Sequence, residues 1–106
     1  MSRFNDTLER LVAVIEARRG ANPGSSWSAR LIADPALAAK KLAEEAVETA
    51  LASVQGDRAA IAAESADLVD HWRALLAATG VTLDEVAAVL EAREGRSGVA
   101  EKASRD

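Results

Sequence analysis

Apolar residues near the N-terminus recur at the spacing of an amphipathic helix. The first four that follow the i, i+3, i+4, i+7 pattern are Leu8, Leu11, Val12 and Ile15. This spacing predicts a helix over residues 4–18, which Gly20 brings to an end. The serine hydroxyls at positions 25, 26 and 28 can cap a second, short helix through residues 30–32. Trp27, between these serines, is available for packing or stacking.

Two long helices are predicted next, each with a capping residue at its start and a glycine at its end. Asp34 followed by proline predicts a helix over residues 35–54 that stops at Gly56. Asp57 caps the next helix, which continues to about residue 79 and stops before a glycine. Because only about two or three residues separate the two helices, they are expected to form an antiparallel hairpin.

The last predicted helix opens with a capping box formed by Thr82 and Glu85 and runs to about Arg93. We find no internal repeat and no run of strand period, so the predicted fold is all-α, a bundle-like domain of four to five helices over residues 1–95. The remaining residues, 96–106, are small, polar and charged, which is typical of a flexible tail.

The composition narrows the class of protein further. The chain has 106 residues, enough for one domain, and a hydrophobic share of 49% that includes only one phenylalanine and two tryptophans. The core is therefore expected to be shallow and packed between helices, which leaves room for stabilisation by oligomerisation. A net charge of -4 argues against binding to nucleic acid or to an anionic membrane. With no cysteine, and with neither a signal peptide nor a membrane-spanning run recognised, a cytoplasmic protein is expected.

Acidic residues stand out on the two long helices. Glu44, Glu45 and Glu48 lie on the first, and Glu64 and Asp67 lie on the second. A spacing of three residues places both acids of a pair on one helix face. The alternatives are a cage of carboxylates between the two helices or the solvated sides of two ordinary helices.

Each helix taken alone gives a different answer. On the first, Glu45 and Glu48 lie opposite the main apolar side, which favours a solvated face. That apolar side consists of Ala43, Val47, Ala50, Leu51 and Val54. On the second, Glu64 borders the apolar sector, whereas Arg73 falls in the sector expected to face water. A carboxylate near the core requires a compensating positive charge.

The predicted hairpin places the acids of the two long helices at the same level. Glu45 and Glu48 lie 11 and 8 residues before Gly56, and Glu64 and Asp67 lie 8 and 11 residues after it, so the pairs come level. Their mutual repulsion is most simply relieved by a divalent metal with oxygen ligands. One histidine and no cysteine make zinc and copper poor fits, and Mg²⁺, with Mn²⁺ as a substitute, is the expected cofactor.

The basic residues and the single histidine leave alternatives open. His71 fits a packed or surface histidine hydrogen-bonded to an acid one turn away, or a role behind the metal ligands or towards substrate. Lys41, Arg18, Arg30 and Arg93 fit solvated positions, but a metal site for a phosphorylated substrate needs cations nearby.

The motif E-E-x-x-E followed by E-x-x-D on consecutive helices resembles the all-α nucleotide pyrophosphohydrolases of the MazG type. Other segments resemble one branch of that superfamily, the phosphoribosyl-ATP diphosphatases of histidine biosynthesis. These segments are Arg18, Asn22-Pro23, Ser26-Trp27-Ser28-Ala29-Arg30-Leu31, Lys41, Glu44 to Glu48, Glu64 to His71, Leu75-Leu76, Gly80 to Val86, Leu90 and Arg93. The chain departs from the branch at Asp70 and Trp27, where tyrosine is usual, and at Arg30, where lysine is usual.

The resemblance implies an enzyme that hydrolyses 1-(5-phosphoribosyl)-ATP to 1-(5-phosphoribosyl)-AMP and pyrophosphate, the second step of histidine biosynthesis. It implies a homodimer with helices packed across the interface. The chemistry of the residues is consistent with this reaction, and Glu45, Glu48, Glu64 and Asp67 are expected to hold Mg²⁺. Glu44 is expected as a further ligand or as the base that orients the attacking water, so Glu44 and Glu45 are the expected catalytic residues, with His71 as a candidate behind the ligands. Lys41, Arg18 and Arg30 are the expected phosphate contacts.

Two alternatives remain at this point. A house-cleaning pyrophosphohydrolase of the MazG type would use the same metal chemistry on a noncanonical or deoxy nucleoside triphosphate. A non-catalytic helical dimerisation module would carry the acids as a solvated face, and removal of one acid would then be neutral or stabilising.

Overall fold

The computed structural model describes residues 2–95 together with residues 98, 102, 103 and 105. These residues form five α-helices and no strand, which confirms the all-α prediction. The helices are α1 (Arg3–Ala17), α2 (Trp27–Ala33), α3 (Pro35–Gln55), α4 (Arg58–Thr79) and α5 (Leu83–Ala92). None of these helices is long and apolar enough to span a membrane. The predicted tail, 96–106, falls largely outside the described residues and stays a prediction.

Local side-chain chemistry sets the helix bounds. Each helix begins at a polar residue whose side chain accepts a hydrogen bond from a backbone N–H in the first turn, as expected for N-caps. These residues are Ser2, Ser26, Asp34, Asp57 and Thr82. At the other end of α3, Gly56 has φ 75°, a left-handed conformation that side-chain-bearing residues rarely adopt. The predicted capping box of Thr82 and Glu85 is present.

The hairpin of α3 and α4 is the main contact in the fold. Only Gly56 and Asp57 separate the two helices, and their antiparallel packing is tied by a side chain at mid-height. The Thr49 hydroxyl lies 2.8 Å from the Glu45 carbonyl oxygen of its own helix and 3.1 Å from the Glu64 carbonyl oxygen of α4. This contact holds the turn of α3 that carries Glu45 and Glu48 beside the turn of α4 that carries Glu64.

The core is small and built from short side chains. Leu31 of α2, Ala38 of α3 and Ala74 of α4 are buried together. Partly buried residues pack around them, namely Leu37, Leu75 and Ala78. Alanine at these positions allows the helix axes to approach closely, so the apolar contact per residue is modest.

Two sequence-based expectations about orientation are wrong. The main apolar side of α3 is not covered in the chain, since Val47, Leu51 and Val54 are exposed, the last to 86%. Instead α3 turns its Thr49 side towards α4, where the Thr49 hydroxyl lies 3.1 Å from the Glu64 carbonyl oxygen. Arg73, expected to face water, is only 3% exposed because α1 packs over that face of α4.

Candidate metal centre

Three of the predicted metal ligands meet between α3 and α4. One carboxylate oxygen from each of Glu45, Glu48 and Glu64 lies within 4.8 Å of the others. Glu45 and Glu48 come from adjacent turns of α3, and Glu64 comes from the facing turn of α4. Such a spacing of oxygen atoms from three side chains suits a divalent cation.

Two oxygens in this cluster have no hydrogen-bond partner. The Oε2 atoms of Glu45 and Glu64 are buried, and no described donor reaches them. An ionised oxygen that loses water without gaining a donor is destabilised, and a bound cation would compensate it. Carboxylate oxygens are also ligands that hard divalent cations prefer. The residues present therefore fit a divalent metal.

The pKa values of Glu45 and Glu64 also indicate that the cluster lacks a compensating positive charge. Burial raises the pKa of Glu45, and the neighbouring Glu48 carboxyl raises it further. Burial likewise raises the pKa of Glu64, with a second contribution from Glu48. Both acids therefore hold a proton more readily than a free glutamate when no cation is present.

The other two predicted acids lie beside the cluster rather than inside it. Asp67 is exposed and lies about one turn after Glu64 on α4, and its charge raises the pKa of both Glu45 and Glu64. Glu44 forms an ion pair with Lys41, with Oε2 and Nζ 3.1 Å apart. To act in catalysis, Glu44 would therefore have to break its ion pair with Lys41.

His71 makes two hydrogen bonds that fix its ring. Its Nδ1 lies 2.7 Å from the backbone carbonyl oxygen of Asp67, and its Nε2 lies 3.2 Å from the Nε1 of Trp27. A carbonyl accepts and an indole N–H donates, so the proton belongs on Nδ1. The histidine is thus bonded to the backbone of α4 and to α2, and neither bond goes to a carboxylate.

Trp27 joins two of the predicted phosphate contacts to this group. The Cζ atom of Arg30 and the Nζ atom of Lys41 each lie 5.9 Å from the centroid of its ring. The ring is 45% exposed, and both cations are within the range of a cation–π interaction. Arg18, the third predicted contact, lies apart from this group as the exposed C-cap residue of α1.

Sequence reasoning missed two contacts here. Thr49 was not singled out from the sequence. Thr49 lies 7 residues before Gly56 and Glu64 lies 8 residues after it, so counting from the turn could have shown that the two residues face each other. The bond between Trp27 and His71 joins residues 44 positions apart. No spacing in the sequence indicates such a contact.

Comparison with known proteins shows the family. A family model described as phosphoribosyl-ATP pyrophosphohydrolase matches residues 8–94. The chain belongs to this family. It is 64% identical over 103 residues to a phosphoribosyl-ATP pyrophosphatase of Caulobacter vibrioides, covering 97% of this chain and 96% of the relative. Proteins of the same name from Cereibacter sphaeroides and Rhodobacter capsulatus are 59% and 52% identical over 99 residues, covering 92% of this chain and 96% of each relative.

Membership of the pyrophosphohydrolase family confirms the resemblance and the prediction of a hydrolase. No solved structure gave a significant match. The matched region contains all five helices except the first turns of α1, so every acid of the metal centre lies within it.

For this pyrophosphohydrolase without divalent metal, the substitution Glu64→Gln is expected to raise the free energy of unfolding at neutral pH. It removes one of three crowded carboxylates and replaces an orphaned charged oxygen with a neutral amide. Urea denaturation in EDTA would measure the change. The matched control, Glu9→Gln, alters an exposed glutamate of α1 and is expected to change nothing.

The same variant tests the pH dependence. Folding raises the pKa of Glu45 and Glu64 above the ordinary value of 4.5, so protonation favours the folded state. Stability of the metal-free protein should be greatest below pH 4.5 for these groups and should fall as the pH rises through their raised values. The fall should be smaller in Glu64→Gln, and an equal fall in both proteins would contradict the assignment.

Proposed function

We propose that this protein hydrolyses 1-(5-phosphoribosyl)-ATP to 1-(5-phosphoribosyl)-AMP and pyrophosphate, the second step of histidine biosynthesis. The observation that carries the proposal is the cluster of Glu45, Glu48 and Glu64, with two buried oxygens lacking a donor, in a chain of this family. The relatives' printed name gives the substrate and the bond type. A cytoplasmic location belongs to the same proposal.

The cofactor we propose is Mg²⁺, with Mn²⁺ as a substitute. Glu45, Glu48 and Glu64 would hold it, and Asp67, about one turn after Glu64 on α4, would complete the acidic set. When bound, the metal supplies positive charge that offsets the charge on the phosphate oxygens and on the leaving pyrophosphate.

The reaction adds water across the anhydride bond between the α and β phosphates. A carboxylate beside the metal would orient the attacking water and accept its proton, while the bridging oxygen leaves with pyrophosphate. Glu45 is proposed for this role because it faces the cluster, and Glu44 is the second candidate. Glu44 would first have to leave its ion pair with Lys41.

Positive side chains beside the acids would hold the phosphates. Lys41 and Arg30 flank Trp27, so their positions relative to one another are set by a single ring. His71 is bonded to the same ring and would keep the α4 side of the site in place. Arg18 is proposed as a phosphate contact that would reach the substrate from outside this group.

The protein is proposed to act as a homodimer. Val47, Leu51 and Val54 form an exposed apolar strip along α3, here named the α3 ridge. These residues recur at spacings of four and three, so they line one helix face. A continuous apolar strip of this kind is typical of a surface that packs on another helix. No role in nucleic acid or membrane binding is proposed.

The central test is an assay of pyrophosphate release. Purified protein with Mg²⁺ should hydrolyse phosphoribosyl-ATP and should show little activity on a panel of NTPs and dNTPs. Preference for a noncanonical or deoxy nucleoside triphosphate would instead support a house-cleaning enzyme. Glu64→Gln should lower kcat/KM by at least about 100-fold, since loss of even a residue that only orients a ligand typically costs about 10–100-fold. Full activity in this variant, or in EDTA, would contradict the metal mechanism.

Two neighbouring lysines give a matched pair for the phosphate contact. Lys41→Gln is expected to raise KM about tenfold or more, because a hydrogen bond to a charged group is typically worth about 1.5–3 kcal/mol. Lys40 is exposed, and its side chain forms no hydrogen bond or ion pair with the described residues, so Lys40→Gln should leave KM unchanged. Steady-state kinetics would measure both variants. Equal effects would show that Lys41 acts only through the overall charge of the protein.

The α3 ridge can be tested by light scattering coupled to size-exclusion chromatography. Leu51→Lys should convert the dimer to a monomer, because a buried ammonium without a partner opposes association. Leu51→Met keeps an apolar side chain of similar volume and should remain dimeric. A dimer that survives Leu51→Lys would place the interface elsewhere.

A further inference from the structure

Arg73 is a buried cation that the proposed reaction does not use. It is 3% exposed, and its Nε and Nη1 atoms have no hydrogen-bond partner among the described residues. It follows Glu64 by 9 residues on α4, which is about two and a half helical turns and about 13 Å along the axis. The two side chains therefore leave opposite faces of α4, and Arg73 lies away from the metal centre.

The acid whose charge acts on Arg73, Glu16, is engaged elsewhere. Both carboxylate oxygens of Glu16 accept hydrogen bonds from Arg19, at 2.9 and 3.0 Å. Arg19 also donates to the carbonyl oxygen of Ala77 at 2.9 Å, which ties it to the end of α4. Two guanidinium groups thus share one carboxylate, and the group keeps an excess of one positive charge.

Burial also changes the pKa of Arg73. Desolvation lowers the pKa of Arg73, and the charge of Glu16 only partly opposes this. A guanidinium stays protonated under all ordinary conditions, so the cost of burial is borne as lost stability and is not relieved by loss of a proton.

Arg73 opens onto a cavity at the end of the bundle. The cavity has a volume of about 250 Å³. Its lining includes Glu16, Arg19 and Arg73 together with residues 80–83. Asp84 and Glu85 are the acids in the first turn of α5, and the carboxylate of Glu85 accepts from the backbone N–H of Thr82 at 2.7 Å in the capping box.

We propose that this cavity, here named the Arg73 pocket, binds a small anion beside the guanidinium of Arg73. The ligand chemistry is that of a phosphate group or a carboxylate, which a guanidinium binds through charge-assisted hydrogen bonds. The site is separate from the metal centre, with which it shares only α4. The proposal does not depend on the substrate of the enzyme.

A purely structural role explains the observations less well. A buried charge without a partner is usually less stable than an apolar side chain of similar volume at the same place. Arg19 already ties α1 to α4 through Ala77, so Arg73 is not needed for that contact. An anion beside the guanidinium would offset the excess positive charge.

The test is calorimetric titration of the full-length protein in EDTA with inorganic phosphate and, separately, with acetate. Saturable binding of at least one of them is expected, and the comparison identifies which chemistry the pocket takes. In Arg73→Met, which keeps an unbranched apolar side chain without the guanidinium, the affinity should fall about tenfold or more. Glu64→Gln alters the opposite face of α4 and should bind the anion as the unaltered protein does.

Arg73→Lys provides a second variant that keeps the charge. It should bind the anion more weakly than the unaltered protein and more tightly than Arg73→Met, because an ammonium lacks the fork of donors. Two results would overturn the proposal. One is the absence of saturable binding of either anion. The other is binding that is unchanged in Arg73→Met, which would place the anion elsewhere on the protein.

Discussion

Like charges crowded between α3 and α4 are the constraint on which the rest of this structure depends. Glu45, Glu48 and Glu64 approach within 4.8 Å, and two of their oxygens are buried without a donor. The repulsion must be resisted by the hairpin, whose two-residue connector and Thr49 contact hold the acids level. The fold therefore stores an unfavourable interaction at the position where a divalent cation would turn it into a favourable one.

The same requirement for close helix approach accounts for the unusual distribution of apolar residues. Alanine at positions such as Ala38, Ala52 and Ala74 lets the long helices pack tightly around the site. Short side chains bury little apolar area, so the core of the single chain is small. The larger apolar residues of the α3 ridge are left on the surface. A site built on short side chains thus leaves apolar surface available for a second copy of the chain, whose association would add the stability that the core lacks.

Capping residues and the number of residues on each side of the turn predicted the helices and their pairing from the sequence. The side of each helix that faces the core was harder to predict. N-caps such as Asp34 and Asp57 act within one turn, so helix bounds were accessible, and the level of Glu64 followed from its distance to Gly56. A helical wheel assumes that the most apolar side faces the core. That assumption fails for α3, where the α3 ridge is exposed, and for Arg73 on α4. In alanine-rich helices several sides can be buried, and only tertiary packing decides which one is.

Orphaned charges of opposite sign occupy the two faces of α4. Glu64 presents a buried oxygen without a donor on one face, and Arg73 presents two donors without an acceptor on the other. Neither arrangement is explained by folding, because each would be relieved by a neutral side chain of similar size. The residues lie about 13 Å apart along the helix, beyond the distance at which stability effects usually couple. A cation on one face and an anion on the other would therefore stabilise the folded chain independently, and their contributions to the free energy of unfolding should add.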